Sequence, residues 1–327
     1  MELCWIDEGG MHPAELSELA ALRARTDGFL WLDVPVWTDQ AETVLRQEFG
    51  FHPMAVLGCR QRNHVPRIHG YPDHLFVVVH APEIGTGGHV HYLELDQFIG
   101  AHFLVTVHGP LNPNVSVDVA LRETRQVRAR IGAGRLRPTS PLGLIYAIVS
   151  TIARNEAALV DDIARQVGLL EQRVMAATDE EPQTFLTELF TARHELLTIK
   201  TMAAQGGEIY RRALSLTTFA PPEGLDLVRD LLDQYQRVAR ISESQLDFLT
   251  GVTEFFRART DTKMTVAAER LAVIAAVTLP ITAISSVMGM NVIVNQSTHW
   301  VLLTILLAVM LALGLLLLRW AKRQGWW

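Results

Sequence analysis

The chain has 327 residues, a net charge of −6 and 49% hydrophobic residues, and its apolar excess is concentrated after Arg270. That length allows two or three domains, and the first 270 residues carry no basic cluster of the kind a nucleic-acid partner requires. The two cysteines, Cys4 and Cys59, form neither a metal spacing nor a disulfide framework, which fits a reducing compartment.

The opening "MELCWIDEGG" is acidic and lacks a long apolar stretch, so no leader is expected and residues 1–270 should stay on the cytoplasmic side. Residues 1–135 read as an α/β domain. Its β-rich runs are "FLWLDVPV" (29–36), "HLFVVVH" (74–80), "HVHYLELDQFIG" (89–100) and "HFLVTVH" (102–108), separated by Gly, Pro and Asp. Between the first two, "DQAETVLRQEFGF" has helical spacing that puts Val44, Leu45 and Phe49 on one face. A second helix is expected over about 115–131.

Residues 136–222 read as a pair of long helices. Ser140 suits the N-cap and Pro141 the first helical position. Pro182 opens the second helix, which runs to about Leu216, and "FAPPEG" (219–224) closes the pair. A third helical pattern, the stalk, runs over 223–270 and meets no stop signal before Pro280, which lies inside an apolar run. From 223 to 290 such a helix is roughly 100 Å long at 1.5 Å per residue. It cannot bury its surface alone and must belong to a bundle.

From Leu271 to Leu318 there is no Asp, Glu, Lys or Arg, and only His299 is titratable. Two apolar runs, 271–290 and 300–319, flank an uncharged loop at 291–299, and a basic tail follows at 320–327. This pattern predicts a transmembrane helical hairpin rather than a buried hairpin of a soluble core. Arg257, Arg259, Lys263 and Arg270 precede the first run, and Arg319, Lys322 and Arg323 follow the second. The loop has no Lys or Arg, so both termini are expected in the cytoplasm and the hairpin in the cell's inner membrane. Trp320, Trp326 and Trp327 then serve as interfacial anchors. Two spans are too few to enclose a pore, which implies a homo-oligomer.

Within the first run, Leu271, Ala275, Leu279, Thr282 and Ser286 recur every three or four residues and share one helix face. Small and hydroxyl side chains suit a water-filled path, and Leu271 and Leu279 suit constrictions that close by dewetting. The same stripe also suits helix–helix packing through small residues. On the stalk, Asp230 and Asp233 in "LVRDLLDQYQ" lie three apart on one face, where a solvated helix surface is the plain alternative. An enzyme is not expected: "GTGGHVH" lacks the Gly-Lys-Ser/Thr of a phosphate loop, and "RHELL" lacks the second His of a zinc-protease site.

The first apolar run ends in Gly289-Met290-Asn291, two turns after Pro280 and Thr282. This motif, placed between two C-terminal spans with a basic, Trp-ending tail, resembles that of the CorA divalent-cation transporter family. The stretch at 52–80, "HPMAVLGCRQRNHVPRIHGYPDHLFVVVH", is similar to the family's segment in which His-Pro opens a helix and Arg-Pro-(Lys/Arg)-(Val/Ile) enters a strand. "LELDQFIGAHFLVTVH" (93–108) resembles its next strand pair, so the likeness spans essentially the whole chain.

That resemblance implies a fold: an α/β cytoplasmic domain, two antiparallel long helices, and a stalk helix continuing into a two-helix transmembrane hairpin. It also implies a funnel-shaped homopentamer with the Gly-Met-Asn loop at the outer mouth. The implied cargo is Mg²⁺, with Co²⁺ as a second ion, carried down its electrochemical gradient. Five Asn291 amide oxygens can accept hydrogen bonds from the waters of a hydrated ion that dehydrates reluctantly. Asp230 and Asp233 fall where similar transporters bind a regulatory cation between protomers, with Glu83 as a candidate partner. Cytoplasmic Mg²⁺ would then favour the closed assembly. Nine of the twelve histidines lie between His52 and His108, including His89-x-His91, which raises a zinc transporter of the family's ZntB-like branch as the alternative. A non-conducting metal sensor or scaffold in the membrane is a further one. The chain departs from the family pattern at Met288, where an aromatic residue is common, at Ala268, where a bulky apolar one is, and in "VIVNQSTH", which lacks the usual acidic residues.

Overall fold

The computed structural model describes residues 1–176, 182–216, 222–292 and 300–323. The chain divides into two compact units, Met1–Thr250 and Gly251–Trp327.

The first unit is built on one seven-stranded sheet. Its strands are β1 (Glu2–Asp7), β2 (Gly10–Ala14), β3 (Phe29–Val34), β4 (Arg67–Gly70), β5 (His74–Ile84), β6 (Val90–Gly100) and β7 (Phe103–Val107). They lie in the order β2-β1-β3-β7-β6-β5-β4, and of these pairs only β3–β7 is parallel. The four runs expected from the sequence are β3, β5, β6 and β7. The hairpin β1–β2 lies where the sequence reading marks only an acidic start. Gly10 makes it possible, since its φ of 127° suits the turn and strains any residue with a Cβ.

Helices cover both faces of the sheet, which is why β3 and most of β5 read as continuous apolar runs rather than alternating ones. On one side are α1 (Leu19–Arg23), α2 (Asp39–Thr43) and α3 (Pro53–Arg60). Alternate residues Leu30, Leu32 and Val34 point into this core and meet Leu45, Phe49, Phe51 and Phe98. The expected helix at 39–51 is present, but after α2 it widens into a π-type turn over Val44–Glu48. His52 caps α3 by accepting the Met54 N–H at 3.2 Å, and Pro53 takes the first turn.

The intervening residues of β3 face the other way. Trp31 Nε1 donates to Thr106 Oγ1 at 3.0 Å, and Thr106 Oγ1 donates to Asp33 Oδ1 at 2.6 Å. His108 Nε2 lies 3.2 Å from the same oxygen, and the Arg128 guanidinium stacks over the Trp31 ring at 4.3 Å. Burial alone would raise the Asp33 carboxyl; the charges of His108 and Arg128 and its hydrogen bonds outweigh that and hold it below its usual range. On this side lie α4 (Val117–Ala120), α5 (Arg122–Gly132), α6 (Pro141–Met175) and α7 (Pro182–Ala213). Ser140 caps α6 by accepting the Gly143 N–H at 3.0 Å, as its sequence predicts. By length and composition α6 also qualifies as a membrane span, yet more than half of its most apolar window is buried inside this unit. It is a core helix.

The long helix α8 runs without interruption from Pro222 to Val292. In the first unit its Tyr235 ring packs on α7 where Gly206 leaves room: a Cβ there would lie 2.7 Å from the ring. Tyr235 also stacks on Tyr210 at 5.7 Å between centroids. In the second unit α8 meets α9 (Trp300–Arg323), with Ile281 against Gly314. Pro280 removes one backbone donor inside α8, a break that membrane helices tolerate.

Candidate functional site

The stripe expected to line an ion path lies in the second unit. Val273 is buried, and Val277, Ile281 and Ile284 are partly covered, so one face of α8 is the packed one. At 100° per residue, Leu271, Ala275, Leu279, Thr282 and Ser286 lie on the opposite face. All five are exposed, Leu271 and Leu279 by 67% and 66%. Thr282 Oγ1 donates to the Thr278 carbonyl at 2.8 Å, which turns its hydroxyl along the helix. The stripe therefore shares the helix with the α9 contact but takes no part in it.

Gly289, Met290 and Asn291 fall in the last turn of α8, which runs to Val292, two residues past the span end expected at 290. Gly289 is exposed. The side chains of Met290 and Asn291, and residues 293–299, lie outside the described residues.

On the stalk, Asp230 and Asp233 are both exposed on α8. Asp230 Oδ2 accepts from the Tyr146 hydroxyl at 2.7 Å and from Gln234 Nε2 at 2.5 Å. The hydrogen bond to Asp230, then burial, raises the Tyr146 phenol above its ordinary value. Glu83, near the end of β5, accepts from Arg122 Nη1 at 3.0 Å, and Arg122 also donates to Glu123 at 3.1 Å. Among the described residues of one chain, no three His, Cys, Asp or Glu side chains are grouped to hold a metal. The fold thus orients Asp230 but does not bring Glu83 and the two aspartates into a closed metal site.

No histidine among the described residues joins two further His, Cys, Asp or Glu side chains. His89 and His91 rings are 4.6 Å apart, and His91 Nδ1 pairs with Asn112 Nδ2 at 3.0 Å. His80 contacts the Asn63 carbonyl and His74 lies 2.7 Å from Asp73.

Several acids drawn into the interior escaped the sequence reading, among them Glu94, Asp96 and Glu156. Glu94 and Asp96 sit two apart on β6, hence on one face. Neither Asp96 oxygen nor Glu94 Oε1 has a hydrogen-bond partner among the described residues. Burial, reinforced by the adjacent Asp96 charge, pushes the Glu94 carboxyl up to about 9, and burial raises Asp96 to about 6. Glu156 is fully buried in α6, and burial followed by the charge of Glu123 drives it well above its usual range. A signal existed: Glu156 continues the three-and-four spacing of Val160, Ile163, Val167 and Leu170, so it occupies a core position.

The raised carboxyls fix a sign. An unfolded chain releases these protons near pH 4 to 5, whereas the folded one keeps the Glu94 proton to about 9. Folding therefore takes up protons across that window, and this contribution to stability is full at low pH and lost as pH rises, at up to about 1.4 kcal/mol per pH unit and proton. Thermal melts of Glu94→Gln between pH 5 and 9 should show a shallower fall than the parent, with the largest gain at pH 9. Parallel curves would show that this pair stays ionised.

A sheet clad in helices, and a long helix that continues into an apolar run followed by a second apolar helix, are the build of a membrane protein with a large polar unit. Comparisons with known proteins carry this to a family. The model of the CorA-like Mg²⁺ transporter proteins matches residues 26–323, and the chain belongs to that family, whose members are membrane transporters of divalent metal ions and not enzymes. The putative metal ion transporter YfjQ of Bacillus subtilis is 26% identical over 303 residues, covering 90% of this chain and 89% of its own. The cobalt/magnesium transport protein CorA of Thermotoga maritima is 22% identical over 283 residues, 85% of this chain and 77% of its own. The complete structure of the CorA magnesium transporter from Methanocaldococcus jannaschii superposes with a TM-score of 0.78, at 15% identity, over 100% of this chain and 99% of that one. The ZntB cytoplasmic domain from Vibrio parahaemolyticus gives 0.62 at 12% identity, over 80% of this chain and 98% of that one.

Proposed function

We propose that the protein is a homopentameric channel for Mg²⁺, also passing Co²⁺, that lies in the inner membrane with both termini in the cytoplasm. The observation that carries this reading is the exposed stripe Leu271, Ala275, Leu279, Thr282 and Ser286 on the side of α8 away from its α9 contact. One chain supplies two long apolar spans in its second unit, so a polar path needs several copies, each turning this stripe to a common axis. The Gly-Met-Asn motif then rings the outer mouth, where neutral oxygens hold the hydrated ion weakly enough to release it. No fuel is required: an inward-negative potential gives about 2.3 kcal/mol per charge per 100 mV, so a divalent ion gains roughly twice that on entry. Asp230 and Asp233 serve as the cytoplasmic sensor, with the neighbouring protomer supplying further ligands, and Mg²⁺ there stabilises the closed state. The cobalt/magnesium transport name of the Thermotoga relative supports this choice of ions.

Flux into proteoliposomes, compared for Mg²⁺, Co²⁺, Ni²⁺ and Zn²⁺, tests the proposal together with the mass of the detergent-solubilised assembly. Potential-driven Mg²⁺ and Co²⁺ entry by a five-chain particle is the expected result. Zn²⁺ as the preferred ion would move the protein to the zinc alternative, and no flux of any ion would make it a sensor or scaffold.

A further inference from the structure

Within the first unit, α5, α6 and the adjoining part of α8 line a cavity of about 470 Å³, a size that suits a nucleotide-scale ligand. Three guanidinium groups reach its wall from three different helices: Arg130, Arg154 and Arg237. Arg154 is braced by the Ser150 carbonyl at 3.1 Å and Thr151 Oγ1 at 2.9 Å. Arg130 and Arg237 make no side-chain hydrogen bond or ion pair among the described residues. The contrast lies on the same helix, where Arg122, Arg125 and Arg128 are each matched with an acid. Like charges lining a shared space repel one another and draw in an anion. The arginine fork matches phosphate oxygens in particular.

One carboxylate stands in this cationic wall, Asp230. Its Oδ2 is taken by Tyr146 and Gln234, and Oδ1 receives no side-chain donor among the described residues. A lone carboxylate opposes a bare polyanion but favours one that brings a metal. Mg²⁺ is commonly held by one or two carboxylates plus phosphate oxygens rather than by an all-protein cage. One chain groups no three His, Cys, Asp or Glu side chains among its described residues, so a cation at Asp230 is open to ligands from outside the chain, and phosphate oxygens are such ligands. Leu136, Ala147 and Val238 give the same cavity an apolar wall for a base.

We propose that this cavity binds a Mg²⁺-chelated nucleoside polyphosphate, with the phosphates on Arg130, Arg154 and Arg237 and the metal on Asp230. The proposal deepens the sensing role given to Asp230 above and rests on that reading at this residue alone. It makes the stalk responsive to the metal-bound nucleotide as well as to the free ion.

Equilibrium dialysis of ATP against the full-length protein in detergent tests it. Saturable binding is expected with Mg²⁺, weakened about tenfold or more by EDTA, since one charge-assisted contact is then lost. Arg130→Gln with Arg237→Gln should weaken binding at least about tenfold with or without metal, while an unchanged melting temperature reports intact folding. Asp230→Asn should bind ATP equally with and without Mg²⁺. Absence of saturable binding, or unchanged binding in the double arginine variant, overturns the site. Inorganic phosphate competing as well as ATP overturns the nucleotide assignment. Nucleotide-free Mg²⁺ protection of the stalk, measured on the same samples, separates failure of the sensor from failure of this cavity.

Discussion

Asn291→Ala is expected to abolish Mg²⁺ flux while the chain still assembles and keeps its melting temperature. Asn291 belongs to the last turn of α8, which runs to Val292, and alanine is the residue best tolerated in a helix. The backbone therefore has no reason to change. What is lost is the amide oxygen that would accept a hydrogen bond from the ion's own water. At about 1 kcal/mol for each such bond, five symmetric losses in the proposed pentamer amount to roughly 5 kcal/mol, or more than a thousandfold in ion occupancy at the mouth. Uptake of Mg²⁺ into vesicles is the measurement. Parent-like uptake in the variant would leave Asn291 as a helix-end residue and place selection elsewhere on the path.

Neutralising the stalk is expected to abolish sensing without touching selectivity. Asp230→Asn with Asp233→Asn removes two negative charges from every chain. Asparagine at 230 can still accept the Tyr146 hydroxyl, so the packing of α8 on α6 seen in that 2.7 Å bond should persist. If Mg²⁺ closes the assembly by binding these carboxylates, it stabilises by mass action, and without them the ratio of stalk proteolysis half-lives with and without Mg²⁺ should fall to about 1. The relative flux of Mg²⁺ and Co²⁺ should not move, because Asn291 is unaltered. The sign of the flux change follows from two opposed effects, lost metal and lost repulsion, which makes protection the cleaner readout. Undiminished Mg²⁺ protection would sink the sensor and make both aspartates a solvated face.

Much of the architecture was legible because it is written in local pattern. Ser140-Pro141 starts α6, as cap chemistry requires, and Pro182 is the first described residue of α7. The unbroken stretch from the stalk into the first span is one helix, and the two apolar runs are helices of the second unit. Pro82 misled the reading at β5, expected to end at His80 but extending to Ile84. The partner strand β4 pairs only as far as Val78, so beyond it the outer edge of β5 is open and a proline costs no ladder bond there. Strand β1 stayed hidden because six residues before a Gly-Gly turn, read alone, carry no strand-specific period.

Composition, periodicity and caps by themselves determined that this chain has four β-rich runs, a helix pair, a stalk and two apolar runs, since each depends on residues within a few turns of one another, whereas the sheet joins strands as far apart as β3 and β7. The tertiary structure alone decided where charge is neutralised and where it is stranded. Glu83 is matched with Arg122, 39 residues away, Asp230 with Tyr146, 84 residues away, and Glu94, Asp96 and Glu156 have oxygens without any partner among the described residues. It also decided which face of α8 meets Gly314 and which is left open. Those outcomes rest on contacts between segments far apart in the chain, and the electrostatic cost of a carboxylate is set by the dielectric and the partners that such contacts create.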